Sequence, residues 1–338
     1  MAEKQDVKNI GAEETKPQSP VFNFLKKIWQ DYSVVVVFVV IIILCGIAAP
    51  RFLRPDNLLN ILRNTSIVGV IALGMTFVII GGGIDLSSGP VLATSGAVLI
   101  ILQGMVTPEG APLMPLWIPI LAACLIATGF GFINGIIITK AKLPPFIVTL
   151  AIGIIARSVV MYFCRGATIM GNKIPEFTRI GNGSIARIPI PFIIAILLAV
   201  VLHIVLTRSK FGTYVFAVGG NEDAARYSGI KVDRIKIFTY MLVGLCTGIA
   251  ATIEMSRMAA VAATTSGSQY EFEAITAVII GGTSLTGGRG RLIGTIVGFI
   301  ILGIVNNMMI MLNISPYLSG AVKGAVILFA VLIQRRER

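Results

Sequence analysis

The stretch RSKFGTYVFAVGGNEDAARYSGIKVDRIK, residues 208–236, is polar and charged, and apolar runs long enough to cross a bilayer precede and follow it. Within it, Asn221 is a residue type that caps helices, and Glu222 and Asp223 follow where the positive end of the helix dipole favours carboxylates. Gly229 is a residue type that ends helices. The stretch therefore predicts a helix of roughly two turns between two membrane spans, an arrangement typical of a docking element.

The composition places most of the chain in lipid. Its 338 residues are 55% hydrophobic and only 13% charged, about half the charged content of an average soluble domain. The apolar residues also form long runs rather than short periodic stripes. These features predict an all-α protein, a polytopic transmembrane helix bundle.

About ten spans are predicted, and the basic residues that flank the apolar runs place both the N- and C-termini in the cytoplasm. The apolar runs cover residues 34–49, 67–80, 91–105, 116–139, 146–164, 188–206, 237–253, 274–285, 293–312 and 318–333. The run at 274–285 is too short to span unless the glycine-rich turn after it is partly embedded. The loop before this run contains Glu254, Glu271 and Glu273.

The domain organisation follows from these runs. Residues 1–30 are predicted to be a disordered and amphipathic cytoplasmic tail, because they are rich in polar residues and proline. Residues 31–334 form the membrane domain, with a cytoplasmic coupling loop at 207–236, and residues 335–338 form a basic cytoplasmic tail. Within the membrane domain, Gly131 with Gly135 and Gly244 with Gly248 have the spacing that lets helices approach closely.

Two glycine-rich breaks interrupt the apolar runs and resemble each other. They read VIIGGGIDLSSG at 78–89 and VIIGGTSLTGG at 278–288. Such pairs can mark internal repeats built from discontinuous helices, which often surround a transport path. Convergence on glycine-rich helix ends is the alternative, and the short match leaves both open.

Asp85 lies in the first break, where a carboxylate between two membrane runs is costly without compensation. Ser87 and Ser88 begin the next helix, so Asp85 is predicted to cap that helix by accepting backbone N–H groups. Direct contact with a transported solute is the second interpretation. The two roles are compatible if the capped helix lines the path, so all three residues are candidates for the translocation path.

Arg157 lies inside an otherwise apolar run. An arginine within the membrane usually faces the interior of the bundle and has a partner there. Arg157 is therefore a candidate for a structural ion pair, although the sequence does not identify its partner.

Several function classes are excluded. The net charge of +12 comes from residues that flank apolar runs rather than form one basic face, which argues against nucleic-acid binding. The chain has one histidine, its four cysteines fall in apolar runs, and no Gly-Lys-Ser/Thr phosphate loop occurs. We therefore expect no metal, no cofactor, no ATP binding by this chain and no enzyme activity.

Three motifs in order carry a family resemblance. They are GGIDLSSG at 82–89, AVGGNEDAARYSGIKVDRIKI at 217–237 and FEAITAVIIGGTSLTGGRGRLIGTIVG at 272–298. They resemble the permease subunits of bacterial carbohydrate ABC importers of the ribose, galactose and xylose type, and the similarity covers about residues 57–333. The resemblance implies a homodimeric pore in the inner membrane. It also implies two cytoplasmic ATP-hydrolysing subunits and a periplasmic or lipid-anchored sugar-binding protein.

The resemblance further implies that the short helix is a coupling helix that inserts into a groove on the ATPase. The coupling residues are then Asn221, Glu222, Asp223, Ala224, Ala225, Arg226 and Gly229. Sugar contacts in the pore should be weak and should use amides, serines and aromatics, such as Asn306 and Asn307, rather than a charged cage.

Three alternatives stay open. The same fold could import branched-chain amino acids or a sugar-like signalling molecule. An ion-coupled secondary transporter would need acidic residues along the path, and only Asp85 is a plausible one. A membrane scaffold or receptor would leave the motifs without a role.

Overall fold

The computed structural model describes residues 38–107, 112–172, 174–315, 318, 320–325 and 328. Its helices are α1 (Phe38–Ala48), α2 (Pro55–Ile80), α3 (Ser88–Gln103), α4 (Trp117–Lys140), α5 (Pro145–Phe163), α6 (Pro175–Asn182), α7 (Ile190–Arg208), α8 (Lys210–Gly220), α9 (Glu222–Tyr227), α10 (Val232–Met258), α11 (Tyr270–Ile280) and α12 (Leu292–Met311). The described residues from 318 onward are also helical. The predictions for the tails 1–30 and 335–338 lie outside the described residues.

Six of these helices are long and apolar enough to cross a membrane: α2, α4, α5, α7, α10 and α12. Helices α1 and α3 are apolar but shorter, and α11 has only 11 residues. The prediction of an all-α membrane protein is confirmed. The count of ten spans and the cytoplasmic location of the termini stay predictions.

One predicted boundary was wrong because a helix extends beyond its apolar run, and one helix was missed. Helix α2 begins at Pro55 rather than residue 67, with proline in its first turn and Asp56 beside it, both of which suit a helix start. The predicted coupling loop at 207–236 also contains α8, which the sequence interpretation missed. Ser209 caps α8 by accepting the Gly212 N–H at 3.1 Å.

Helix α2 lies at the centre of the bundle, and every residue from Thr65 to Ile80 is buried. The predicted close approach of small residues is confirmed on the neighbouring pair α4 and α10. A Cβ added to Gly131 would collide with the backbone of Tyr240, and one added to Gly244 would collide with the backbone of Ala127. Glycine is therefore needed where these two helices touch.

Short strands and α6 occupy one end of the bundle. Strand β1 (Thr168–Met170) pairs antiparallel with β4 (Ala260–Ala262), and β2 (Ser184–Ile185) forms a hairpin with β3 (Ile188–Pro189). Gly181 of α6 packs against Arg257 near the C-terminal end of α10. Helix α9 contacts the other end of α10, which is about 40 Å long for its 27 residues. Helix α6 and the two strand pairs therefore lie at the end opposite α9.

The predicted loop assignment is wrong for all three acidic residues. Glu254 lies within α10 and is 4% exposed. Glu271 and Glu273 lie in the first turn of α11, and Glu271 is 9% exposed. Both helices extend past their apolar runs, so the polar residues are carried into the protein interior.

Candidate coupling helix and translocation path

The predicted short helix is confirmed as α9, although its six residues make it slightly shorter than two turns. Asn221 has an extended backbone, and its Oδ1 accepts the Ala224 N–H at 2.9 Å. Gly229 adopts φ +82°, a left-handed conformation that favours glycine at a helix end. Both ends of α9 are therefore fixed by local residues.

Ion pairs hold α9 against its neighbours. Glu222 accepts from Arg226 at 3.1 Å and from Lys236, in the first turns of α10, at 2.5 Å. Asp233 lies 3.7 Å from Arg226 and 3.5 Å from Lys140 at the end of α4. Burial alone would raise the pKa of Glu222, but the hydrogen bonds and charges of Lys236 and Arg226 outweigh it and lower that pKa. The network fixes the orientation of α9 on α10 and α4.

One face of α9 is open to solvent. Ala225 points inward and is buried, whereas Asp223, Ala224 and Arg226 are exposed. Tyr227 is 91% exposed, and the sequence interpretation did not include it. Tyrosine and arginine are frequent anchors in protein interfaces, which suits Tyr227 and Arg226 to a contact with a partner. The aromatic residue within an otherwise polar helix was the sequence signal that could have identified Tyr227.

A contact between glycines joins the α8–α9 segment to both glycine-rich breaks. The Gly288 N–H, in the break after α11, donates to the Ile80 carbonyl at the end of α2 at 2.8 Å. Gly219, near the end of α8, packs against the backbone of Ile80 and of Gly288. A Cβ added to Gly219 would collide with the Ile80 oxygen and lie 2.7 Å from the Gly288 nitrogen. We call Ile80, Gly219 and Gly288 the glycine junction.

The two breaks share the same turn geometry. The Gly82 N–H donates to the Ile79 carbonyl at 3.0 Å, and the Gly282 N–H donates to the Ile279 carbonyl at 2.9 Å. The two glycines have φ of +78° and +83°. Both an internal repeat and convergence on a glycine-ended helix produce this geometry, so the origin of the similarity stays open.

Asp85 belongs to a buried hydrogen-bond network. Its Oδ1 accepts the Ser87 N–H at 2.7 Å and the Ser87 hydroxyl at 2.6 Å. The Ser87 Oγ in turn accepts from Asn134 Nδ2 at 2.8 Å. Ser87 itself is the N-cap residue of α3, so Asp85 bonds the residue before the helix rather than the helix. Asp85, Ser87 and the neighbouring Ser88 are all at least 98% buried.

Arg157 binds backbone rather than the expected ion-pair partner. Its Nη1 donates to the Ala263 carbonyl at 2.8 Å and its Nη2 to the Ser266 carbonyl at 3.0 Å. Within the described ranges, no carboxylate lies within 4 Å of the guanidinium. Glu271 and Glu254 are the nearest acidic residues that influence it electrostatically. Arginines within a membrane pair with backbone carbonyls as well as with acidic residues, which explains the correction.

Two cavities lie along the wall formed by α5, α11 and α12. The larger, of about 400 Å³, has Arg157 in its wall, and the smaller, of about 130 Å³, has Asn306. Asn307 lines neither, because it exchanges hydrogen bonds of 2.8 and 3.0 Å with Asn57 of α2. Of the predicted path residues, the structure therefore places Arg157 and Asn306 at cavities. The sequence interpretation missed Gln269 and Phe272, which line both.

Comparison with known proteins identifies the family. A family described as "Branched-chain amino acid transport system / permease component" matches residues 57–331. The ribose import permease protein RbsC of Bacillus subtilis (strain 168) is 43% identical over 299 residues, which cover 88% of this chain and 90% of that protein. The protein of the same name from Haemophilus influenzae is 41% identical, covering 87% and 91%.

A further relative, the L-arabinose transport system permease protein AraH of Escherichia coli (strain K12), is 34% identical and covers 92% of each chain. No solved structure matches the chain. The family match and the apolar helices make this a multi-pass protein of the bacterial inner membrane. The chain belongs to the family of ABC-importer permease components, and within it to the carbohydrate permeases of ribose type.

Proposed function

We propose that this chain forms the pore of an ATP-driven importer for ribose or a similar monosaccharide. Two copies form the translocation path, and two cytoplasmic ATPase subunits drive it. A periplasmic or lipid-anchored binding protein delivers the sugar. The observation that carries the proposal is α9, a capped and solvent-facing helix at one end of the bundle that leads directly into the glycine junction. Ribose is proposed as the sugar because of the similarity to the ribose import permeases of Bacillus subtilis and Haemophilus influenzae.

The exposed face of α9 is the proposed contact with the ATPase. Asp223, Ala224, Arg226 and Tyr227 are available to fill a groove on that partner, while Asn221, Glu222, Ala225 and Gly229 hold the helix in shape and on the bundle. Closure of the ATPase pair on ATP binding would displace α9. Because α8 ends at the glycine junction, such a displacement would reach the end of α2 and the break after α11 together.

This assignment also gives the topology. The end of the bundle that bears α9, Lys140 and the start of α10 is cytoplasmic, and its basic residues suit that side. Helix α6 and the two strand pairs then face the outside. If α1, α3, α11 and the helix after residue 318 each cross in part or in full, the chain makes ten crossings and both termini are cytoplasmic.

The proposed path runs along the two cavities, with Arg157 and Asn306 in their walls. Asp85, Ser87 and Ser88 serve a positioning role, since their buried network fixes the break between α2 and α3. Asn307 ties α12 to α2 through Asn57. Displacement of the breaks would open the path alternately to the two sides.

Co-purification tests this function. The protein is extracted in mild detergent, bound proteins are identified, and ATPase activity is measured with binding proteins loaded with ribose, arabinose or leucine. A bound ATPase that is stimulated by ribose-loaded binding protein is the expected result. If only the leucine-loaded binding protein stimulates ATP hydrolysis, the coupling to an ATPase stands but the transported solute is an amino acid rather than a sugar. A permease that purifies without an ATPase and moves solute along an ion gradient would overturn the proposal.

A further inference from the structure

The larger cavity has an unusual wall for a membrane interior. It lies between α3, α5 and the first turn of α11, and has a volume of about 400 Å³. Its polar side chains are Arg157, Thr264, Ser268, Gln269 and Glu271, and Phe272 adds an aromatic ring. Ligand sites of this size usually combine apolar surface with a few polar groups that fix orientation, which is the composition found here.

Arg157 is held rigidly at this wall. Its two terminal nitrogens donate to the carbonyls of Ala263 and Ser266 in the segment just before α11. The guanidinium therefore fixes both its own position and the segment that leads to Gln269. Each terminal nitrogen keeps a second N–H and Nε–H is a further donor, so the fixed guanidinium can still donate to a solute in the cavity.

Glu271 has hydrogen-bonding capacity to spare. The residue is 9% exposed, and its Oε2 accepts no hydrogen bond within the part of the chain that the structure describes. A Cβ added to Gly89 in α3 would collide with this oxygen, so the carboxylate is pressed against a backbone that has no side chain. A buried carboxylate oxygen without a donor is costly. Because Glu271 lines the cavity, a small rotation of its side chain away from Gly89 would let a solute hydroxyl donate to this oxygen.

Phe272 and Gln269 connect this cavity to the smaller one. Both residues line the two cavities, and Phe272 is 46% exposed. The smaller cavity continues past the Glu273–Lys323 ion pair to Asn306. A solute that leaves the larger cavity along this wall therefore meets the ring of Phe272 and the amide of Gln269 on its way.

We propose that Arg157, Gln269, Glu271 and Phe272 form a hydroxyl-binding station on the path, at which an uncharged monosaccharide pauses during transport. Glu271 accepts hydrogen bonds from sugar hydroxyls, Gln269 both donates and accepts, and Phe272 covers the apolar face of the ring. The station departs from the expectation of amides, serines and aromatics without charged groups, because it adds an arginine and a glutamate. It rests on the proposed function, since the sugar must pass through this chain.

The first test measures uptake of labelled D-ribose by the permease assembled with its ATPase and binding protein in lipid vesicles. Rates are normalised to the amount of assembled complex. Glu271→Gln should lower the rate about tenfold, the loss expected for one hydrogen bond to a charged group. Phe272→Leu should also lower it, whereas Phe132→Leu on α4, where the side chain is 44% exposed, should not.

The second test does not depend on how well these variants fold. Gln269→Cys, in a chain whose native cysteines are replaced, is treated with a water-soluble thiol reagent during turnover. D-ribose should slow its modification several-fold, while Ile185→Cys, in the exposed β2–β3 hairpin, should react at one rate with and without sugar. If the complex transports ribose but the cysteine at residue 269 is modified at the same rate with and without ribose, the hydroxyl-binding station is refuted and the proposed function is not. A wild-type complex that hydrolyses ATP but moves no ribose would instead overturn the proposed function.

Discussion

Substituting alanine for Gly219 tests whether the glycine junction transmits movement from the coupling helix. The new Cβ would meet the Ile80 carbonyl oxygen and carbon and the Gly288 nitrogen, and all three are backbone atoms that no rotamer change can move. Overpacking of this kind costs about 1–3 kcal/mol. Separating the two segments also breaks the 2.8 Å bond from Gly288 to Ile80, worth about 1 kcal/mol. The total is about 2–4 kcal/mol.

The chain offers a matched control in the next residue. A Cβ added to Gly220 would meet nothing within 4 Å, so Gly220→Ala makes the same chemical change without the clash. The assays are the thermal midpoint of the detergent-purified permease and sugar uptake normalised to protein in the membrane. Gly219→Ala should lose both thermal stability and uptake, whereas Gly220→Ala should resemble the wild type.

A second measurement separates lost stability from lost coupling. ATPase activity and uptake are recorded below the midpoint of the Gly219→Ala variant, where the protein is folded. The glycine junction predicts that ATP hydrolysis continues while less sugar moves per ATP. Equal midpoints and equal uptake for Gly219→Ala and Gly220→Ala would refute the reasoning about this contact.

Three further predictions concern the same elements. Asn221→Ala removes the cap of α9 and should destabilise that helix by about 1 kcal/mol. Hydrogen exchange in α9 should become faster, and less ATPase should co-purify. An unchanged yield of ATPase would contradict the coupling assignment. Asp85→Ala leaves the buried Ser87 N–H unpaired and should destabilise the protein by about 1–3 kcal/mol, measured as a lower thermal midpoint. Because the pKa of Glu222 is lowered, its ion pairs stabilise α9 above an unfolded-state pKa of 4.5, and this contribution is lost as the pH falls through the lower folded value. Hydrogen exchange of α9, corrected for intrinsic rates, should therefore become faster as the pH falls. This acceleration should be absent in Glu222→Gln, which lacks the titrating carboxyl.

Local signals were sufficient for α9. Asn221 and Gly229 act on backbone groups a few residues away, so the sequence contains everything needed to place the start and end of the helix. The same kind of signal existed for α8, where Ser209 is the cap. It was missed because the apolar residues of α8 are too few to form a long run.

The glycine junction shows what local signals cannot give. Gly219, Ile80 and Gly288 are far apart in the sequence and meet only because three chain segments converge at one end of the bundle. The glycine-rich breaks were visible as interruptions in apolar runs. Their contact depends on the packing of α2, α8 and α11, which no short pattern encodes.

The charged residues in the membrane illustrate the same limit. The cost of burying Arg157 and Asp85 was evident from their positions, and both were correctly expected to need partners. The partners of Arg157 are carbonyls of Ala263 and Ser266, which any residue could supply and which leave no trace in the sequence. Glu271 was assigned to a loop because α11 begins before its apolar run.

Ribose uptake by the assembled complex tests the central claim most directly. The permease, its ATPase and its binding protein are reconstituted in vesicles with the ATPase side facing inward, and labelled ribose is supplied outside with ATP or a non-hydrolysable analogue inside. Uptake that needs hydrolysable ATP and binding protein, and that persists when ion gradients are collapsed, is the predicted result. Uptake that is equal with the analogue, or that stops when ion gradients are collapsed, would contradict the account.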